Sequence, residues 1–238
     1  MNEGLFMFFR QYCDPETCTF SYFLGDTGTQ QALVIDPVLE WVERDMALLS
    51  DLEFSLAYSL ETHVHADHIT GSGLLRERLG CKTGLSKNSE ADCADLFLEG
   101  GASIEIGGIK LDVLSTPGHT DTCLSFYWEA GERVFTGDAL LVRGCGRTDF
   151  QGGDPETLYK SIHEKLFTLP ENTIVMPGHD YKGRTASTIG EEIRFNPRLG
   201  QGKTAEEFID IMNNLKLAEP DKLHEALPAN KNCGNVKP

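Results

Sequence analysis

The chain is short of positive charge. It carries 21 Lys and Arg against 37 Asp and Glu over 238 residues, a formal net charge of −16. Nucleic-acid binding needs clustered Lys and Arg, so no nucleic-acid partner is expected. No CxxC pair occurs among the seven cysteines (Cys13, Cys18, Cys81, Cys93, Cys123, Cys145 and Cys233), and the count is odd. The expectation is a reduced, intracellular protein rather than a disulfide framework. No apolar run approaches the ~20 residues that span a bilayer, so no membrane partner is expected either. The stretch from Met1 to Arg10 has a short apolar run but neither a basic n-region nor a small-residue cleavage site, which argues against a signal peptide. It is also too acidic and too poor in Arg for a mitochondrial presequence. A bacterial cytoplasm is therefore the expected location, with a mitochondrial matrix compatible. Linkers and low-complexity segments are missing as well. One domain over residues 1–238 is expected, with a short C-terminal helical extension over about 200–238.

What is present is a run of short strands with helices between them. Residues 5–10, 19–24 and 32–35 are rich in aromatic and β-branched side chains and read as strands, separated by Asp14-Pro15 and Gly25-Asp26-Thr27-Gly28. A helical pattern covers 39–51, a strand 55–60, and a helix 69–79 stopped by Gly80. Residues 102–106 and 109–114 form a hairpin around Gly107-Gly108. Strands follow at 123–128, 133–135 and 173–176. Asp154-Pro155 opens a helix with an N-cap and a first-turn proline, and Thr204 with Glu207 makes a capping box for another over 204–215. A helix over 185–195 completes the reading. This alternation suits an α/β fold of two sheets with helices on their outer faces.

Thr62-His63-Val64-His65-Ala66-Asp67-His68 follows the strand at 55–60. Imidazole and carboxylate are the usual nitrogen and oxygen ligands of divalent transition metals. On an extended segment His63 and His65 project to one side. His63, His119, Asp138 and His179 all lie just past an apolar strand and beside Gly or Pro. Strand ends on one sheet edge converge, and loops on a rigid scaffold carry function. A shared metal site is the reading that repeated context supports. His163, inside a helical pattern, and His224, in a polar tail, lack that context and read as ordinary residues. Cys145 sits between two glycines and reads as turn filler, because a reactive thiolate needs an activating neighbour. Cys123 reads as core.

Thr62-His63-x-His65-x-Asp67-His68, Pro117-Gly118-His119, Thr136-Gly137-Asp138 and Gly178-His179 together resemble the metallo-β-lactamase superfamily. The resemblance implies its αβ/βα sandwich of two mixed sheets. Within that superfamily the stretches 63–75, 136–150 and 179–181 with Asn196-Pro197-Arg198-Leu199 are similar to the persulfide dioxygenases. Cys18-Thr-Phe-Ser-Tyr and Pro228-Ala-Asn230 add to the match.

That family implies an oxidoreductase with one Fe(II) per chain, held by His63, His119 and Asp138, that turns glutathione persulfide, O2 and water into sulfite and glutathione in sulfide detoxification. It implies that His65, Asp67, His68 and His179 support a vacant second metal site, although these residues would suffice for two zinc ions. A two-zinc glutathione thioester hydrolase like glyoxalase II is the alternative. A non-catalytic sulfide or redox sensor is a third reading, disfavoured by the complete ligand set. The substrate's carboxylates need cations, and Arg143, Arg147, Lys182 and Arg184 are the candidates, with Arg147 equally suited to bracing its loop against Asp149 or Asp154. Tyr181 is placed among the catalytic and substrate-binding residues. Similar proteins are typically dimers, so a homodimer is expected.

Overall fold

The computed structural model describes residues 7–219 and 222–235. Leu5 and Phe6 of the first expected strand lie outside them. Two six-stranded sheets face each other. The first has the order β1 (Met7–Cys13), β2 (Phe20–Asp26), β3 (Gln31–Ile35), β4 (Ser55–Leu60), β5 (Lys82–Ser86) and β6 (Leu96–Leu98). It is antiparallel from β1 to β3 and parallel from β3 to β6. The second runs, from edge to edge, β12 (Ser187–Thr188), β11 (Ile174–Pro177), β10 (Arg133–Gly137), β9 (Leu124–Trp128), β8 (Ile109–Ser115) and β7 (Ser103–Ile106). Only its β10–β11 pair is parallel.

Period-2 alternation divides each strand between two cores. Phe20, Tyr22 and Leu24 of β2, Leu33 and Ile35 of β3, Phe126 of β9, Phe135 of β10 and Met176 of β11 fill the space between the sheets. Their strand neighbours point outward. Phe23, Ala32 and Val34 pack beneath α1 (Val42–Asp51) and α2 (Ser72–Leu79). Val134 and Val175 pack beneath α3 (Pro155–Ser161), α4 (Ile189–Phe195) and α5 (Ala205–Asn213). The result is the expected two-sheet sandwich with outer helices. Among the described residues no helix is long and apolar enough to cross a membrane.

The caps behave as read. Asp154 accepts from Thr157 N–H with Pro155 in the first turn, Thr204 and Glu207 close a capping box, and Gly80 ends α2 in the left-handed conformation. Three strands escape the sequence reading, β5, β6 and β12, the last lying inside the expected helix over 185–195, whereas α6 (Leu223–Asn230) falls within the expected C-terminal helical extension. β5 contains Gly84, where a Cβ would sit 2.8 Å from Leu60, so close packing rather than strand propensity selects that residue. α6 contains Pro228 and lies in a stretch with little apolar periodicity. It is nonetheless packed, through Ala226 and Ala229, against Ile69.

The expectation of cysteines that are all reduced is corrected. Cys93 and Cys233, 140 residues apart, form a disulfide with Cα atoms 5.9 Å apart. Nothing in the spacing announces this pair, because the fold alone brings the ends of those two segments together. Cys13, Cys18, Cys81, Cys123 and Cys145 are free.

Candidate metal centre

Four chain segments reach one edge of the sandwich. β4 delivers the loop over 61–71, β8 the turn over 116–120, β10 delivers Asp138, and β11 delivers Gly178 and His179. The sheets are stitched there: Leu124 N–H donates to Thr62 O at 2.7 Å, and Phe20 N–H to Gly178 O at 2.8 Å. At Gly137 the backbone φ is +49°, and a Cβ would meet Thr62 Oγ1 at 2.5 Å. Only glycine fits that conformation and that contact.

The tautomers of the ligand candidates follow from their partners. Thr62 Oγ1 donates to Asp36 Oδ2 at 2.8 Å and lies 2.9 Å from His63 Nδ1. Its proton is committed to Asp36, so it accepts from His63 Nδ1–H and leaves the Nε2 lone pair free. Burial, and after it the neighbouring His65 and His119, push the pKa of His63 well below its usual value and keep the ring neutral. His119 Nδ1 lies 2.6 Å from the Arg147 carbonyl, which can only accept, so its Nε2 is free too; that atom is 3.7 Å from Asp138 Oδ2.

Burial works to raise the pKa of Asp138, but His179, His119 and His63 outweigh it and hold the carboxylate ionised. Its Oδ1 accepts from His179 Nδ1 at 2.6 Å, which leaves Oδ2 on the side of His119. His63, His119 and Asp138 thus offer donor atoms all within 4.8 Å of one another. Two imidazoles and one carboxylate match the two-histidine, one-carboxylate facial donor set, which leaves coordination positions open.

His65, Asp67, His68 and His179 sit beside this set in a different state. His65 Nε2 is 3.2 Å from Asp36 Oδ1 and 3.3 Å from Glu61 Oε2. Burial opposes charge on His65, yet the two carboxylates outweigh it and raise its pKa to about 10. His179 places Nδ1 against Asp138 and Nε2 3.0 Å from Asp67 Oδ2. Burial again opposes charge, but both carboxylates lift its pKa well above the ordinary value. Both nitrogens of His179 are therefore donors, with no lone pair to offer. His65, Asp67 and His68 also form a group with donor atoms within 4.8 Å. Within it, His65 Nδ1 and His68 Nε2 are buried without a hydrogen-bond partner. Asp36, Glu61 and His65 make a third such group, closed by donors from Thr62, Thr70 and Ser72.

A cleft of about 700 Å³ opens over these residues, lined among others by Tyr181, Lys182 and Arg198. The arginines expected to hold carboxylates lie on its wall but are already engaged. Arg143 pairs with the buried Glu192 and with Glu191. Arg147 grips Asp149 through Nε and Nη2 at 2.6 and 2.7 Å. Arg184 grips Asp180 at 2.9 and 2.7 Å. Among the described residues the Lys182 ammonium has no hydrogen-bond or ion-pair partner. Arg198 donates to the Cys145 carbonyl at 3.0 Å and, among the described residues, to no carboxylate. Arg198 falls in a stretch that resembles the family, but sequence proximity to the ligands singled out other cations. Tyr181 is 69% exposed and stacks on His179 with ring centroids 5.9 Å apart.

The Gly144-Cys145-Gly146 turn is structural. A Cβ at Gly146 would lie 2.6 Å from both His119 Nδ1 and Asp138 O. Cys145 is buried against Met212, and burial raises its pKa to about 11, so the thiol stays protonated. Burial raises that of Cys123 to about 12. His163 stacks on Tyr159 away from the site, and His224 lies on α6.

Comparison with known proteins bears on this geometry. The family model of the metallo-beta-lactamase superfamily matches residues 19–179. The mitochondrial persulfide dioxygenase ETHE1 of Homo sapiens is 50% identical over 99% of this chain and 92% of its own length. That of Bos taurus is 49% identical with the same coverage. The crystal structure of ETHE1 from Myxococcus xanthus superposes with a TM-score of 0.93 at 52% identity, covering 96% of this chain and 100% of that one. With half the residues shared over almost the whole length and the motif histidines gathered on one sheet edge, the chain belongs to the persulfide dioxygenase family of the metallo-β-lactamase superfamily.

Proposed function

We propose that this chain is a dioxygenase that oxidises glutathione persulfide with O2 and water to sulfite and glutathione, using one Fe(II) held by His63, His119 and Asp138. The observation that carries the reading is the facial donor set itself, in a chain half identical to persulfide dioxygenases over nearly its full length. Iron bound there supplies open coordination positions for sulfur and O2 and the one-electron steps that spin-forbidden O2 chemistry needs.

The protein's part is geometry and charge. Asp36, through Thr62, fixes the His63 tautomer, and the Arg147 carbonyl fixes that of His119. Such supports of ligating histidines tune both orientation and basicity. Among the described residues lining the cleft, Lys182 and Arg198 are cations free to meet the two carboxylates of the glutathione part. Arg143, Arg147 and Arg184 hold the cleft wall through their own carboxylates. Tyr181 overhangs the site, stacked on the His179 ring, and a phenol is protonated at neutral pH, so its hydroxyl has a proton to donate to the substrate. The cleft volume lies in the usual range for small-molecule sites.

One observation favours a second reading, the two-zinc glutathione thioester hydrolase. His68 Nε2, buried without a partner beside Asp67, could serve another metal. The doubly donating His179 weighs against it. The mitochondrial assignment of the mammalian relatives supports an intracellular location, and we keep the homodimer as the expected assembly. The test of function is product stoichiometry. With glutathione persulfide the reading expects one sulfite formed per O2 consumed. Hydrolysis of a glutathione thioester with no O2 uptake would replace it with the second reading.

A further inference from the structure

The loop over 61–71 carries His63 and three more metal-site residues, yet it has no regular secondary structure of its own. Its buried backbone groups must therefore find partners elsewhere. Two of its carbonyls and one N–H find the same partner. Asn230 Nδ2 donates to His65 O at 2.9 Å and to His68 O at 2.8 Å, and Asn230 Oδ1 accepts from Thr70 N–H at 2.9 Å. Asn230 is 2% exposed. A side-chain amide offers donors and an acceptor on one rigid plane, and here both ends are used. Asp at this position would offer no donor to the two carbonyls, and Ala would leave all three groups without a partner.

Asn230 itself is firmly placed. It closes α6, whose Ala226 and Ala229 pack on Ile69. Just beyond it, Gly73 N–H donates to Cys233 O at 2.8 Å, and the Cys93–Cys233 disulfide ties the same turn to the segment between β5 and β6. The approach is close: a Cβ at Gly73 would lie 2.4 Å from Cys233 O, and one at Gly234 2.0 Å from Thr70 O. The C-terminal segment is therefore built onto the metal loop.

The geometry points to Asn230 as a positioning residue for the metal centre: it clamps the backbone on both sides of Asp67 and so sets where the loop holds His63. This rests on His63, His119 and Asp138 being the metal ligands. It does not depend on which metal they take or how many ions bind.

The test uses the full-length protein loaded with Co(II), which reports ligand geometry through its d–d spectrum. Asn230→Ala is compared with wild type and with Lys231→Ala, an exposed neighbour paired with Glu90. Metal affinity is measured by chelator competition well below the unfolding temperature, alongside hydrogen exchange of the Thr70 amide. The expected result for Asn230→Ala is about 10- to 100-fold weaker metal binding, the range found when supports of metal ligands are removed. A shifted d–d spectrum and faster Thr70 exchange should accompany it, with core amides unchanged and Lys231→Ala like wild type. In the turnover assay kcat should fall while KM stays within about twofold. A folded Asn230→Ala with wild-type affinity and spectrum overturns the assignment. If Asn230→Ala does not fold, Asn230→Ser is judged by the same two readouts. Should wild type bind two ions or hydrolyse thioesters, the function proposed above fails while this comparison still decides the role of Asn230.

Discussion

Arg143→Ala separates wall-building arginines from substrate-binding ones. Arg143 is the neighbour of a carboxylate that water does not reach: Glu192 is fully buried. That carboxylate accepts from Arg143 N–H at 2.9 Å, from Asn196 Nδ2 at 2.9 Å, from Ser187 Oγ at 2.5 Å, and from the Arg143 guanidinium. The guanidinium brings the only positive charge in this set. Removing one partner of a buried ion pair leaves an uncompensated charge and typically destabilises by about 3–5 kcal/mol. The Arg143 side chain is 30% exposed, so solvent screening places the loss at the lower end, about 3 kcal/mol. For a chain of this size each kcal/mol moves Tm by about 2–4 °C, so calorimetry should show a fall of roughly 6–12 °C. KM for glutathione persulfide, measured below the lowered Tm, should stay within about threefold. An unchanged Tm with KM raised tenfold or more would refute the reasoning and make Arg143 a carboxylate anchor.

Four further outcomes are expected. Arg198→Ala and Lys182→Ala should each raise KM roughly 10-fold or more, since hydrogen bonds to charged groups contribute about 1.5–3 kcal/mol, while Tm barely moves; wild-type KM in both would remove these residues from the substrate site. Arg147→Ala breaks a pair whose Asp149 side is 55% exposed, so a Tm change of at most a few degrees is expected, and a large KM increase by steady-state kinetics would restore it as a substrate contact. Asp45 is buried, and burial raises its pKa to about 6 despite Arg44. The folded state therefore holds this proton more tightly than the unfolded chain, and the residue's contribution to stability falls between pH 4 and 6, reaching a penalty of about 3 kcal/mol at pH 7. Asp45→Asn should be more stable than wild type at pH 7 and equal to it at pH 4 in denaturant titrations; a constant difference across that range would contradict the assigned shift. Finally, Cys93→Ser should cost about 2–4 kcal/mol, because the disulfide closes a long loop, seen as a lower urea midpoint; no change would mean the two segments are held by packing alone.

The comparison between sequence and structure turns on what each residue type reveals locally. His63, His119, Asp138 and His179 were readable because each follows an apolar strand and sits beside Gly or Pro, a context that repeats. Most strands of the sandwich were readable from their aromatic and β-branched runs, but β5, β6 and β12 lack such runs. Arg198 was not singled out, since its distance in sequence from the ligands hides its place on the cleft wall. Arg143 looked free because Glu192 lies 49 residues away in sequence, and Arg184 because its pairing with Asp180, four residues before it, is made in a loop rather than on a helix. The Cys93–Cys233 bond and the Asn230 clamp join segments 140 and more than 160 residues apart. Contacts of that separation leave no periodic signal. The state of His65 is set by buried Asp36 and Glu61 and that of His179 by Asp138 and the half-buried Asp67, and only packing decides whether such a histidine faces a metal or a carboxylate.

The central claim is a single iron at His63, His119 and Asp138 that serves persulfide oxidation. The most direct measurement is metal analysis of anaerobically purified protein, together with O2 uptake on adding glutathione persulfide, for wild type and His119→Ala. About one iron per wild-type chain with persulfide-dependent O2 uptake, and loss of both in His119→Ala, is the predicted result. Two zinc ions per chain without O2 uptake, or full iron occupancy in His119→Ala, would contradict it.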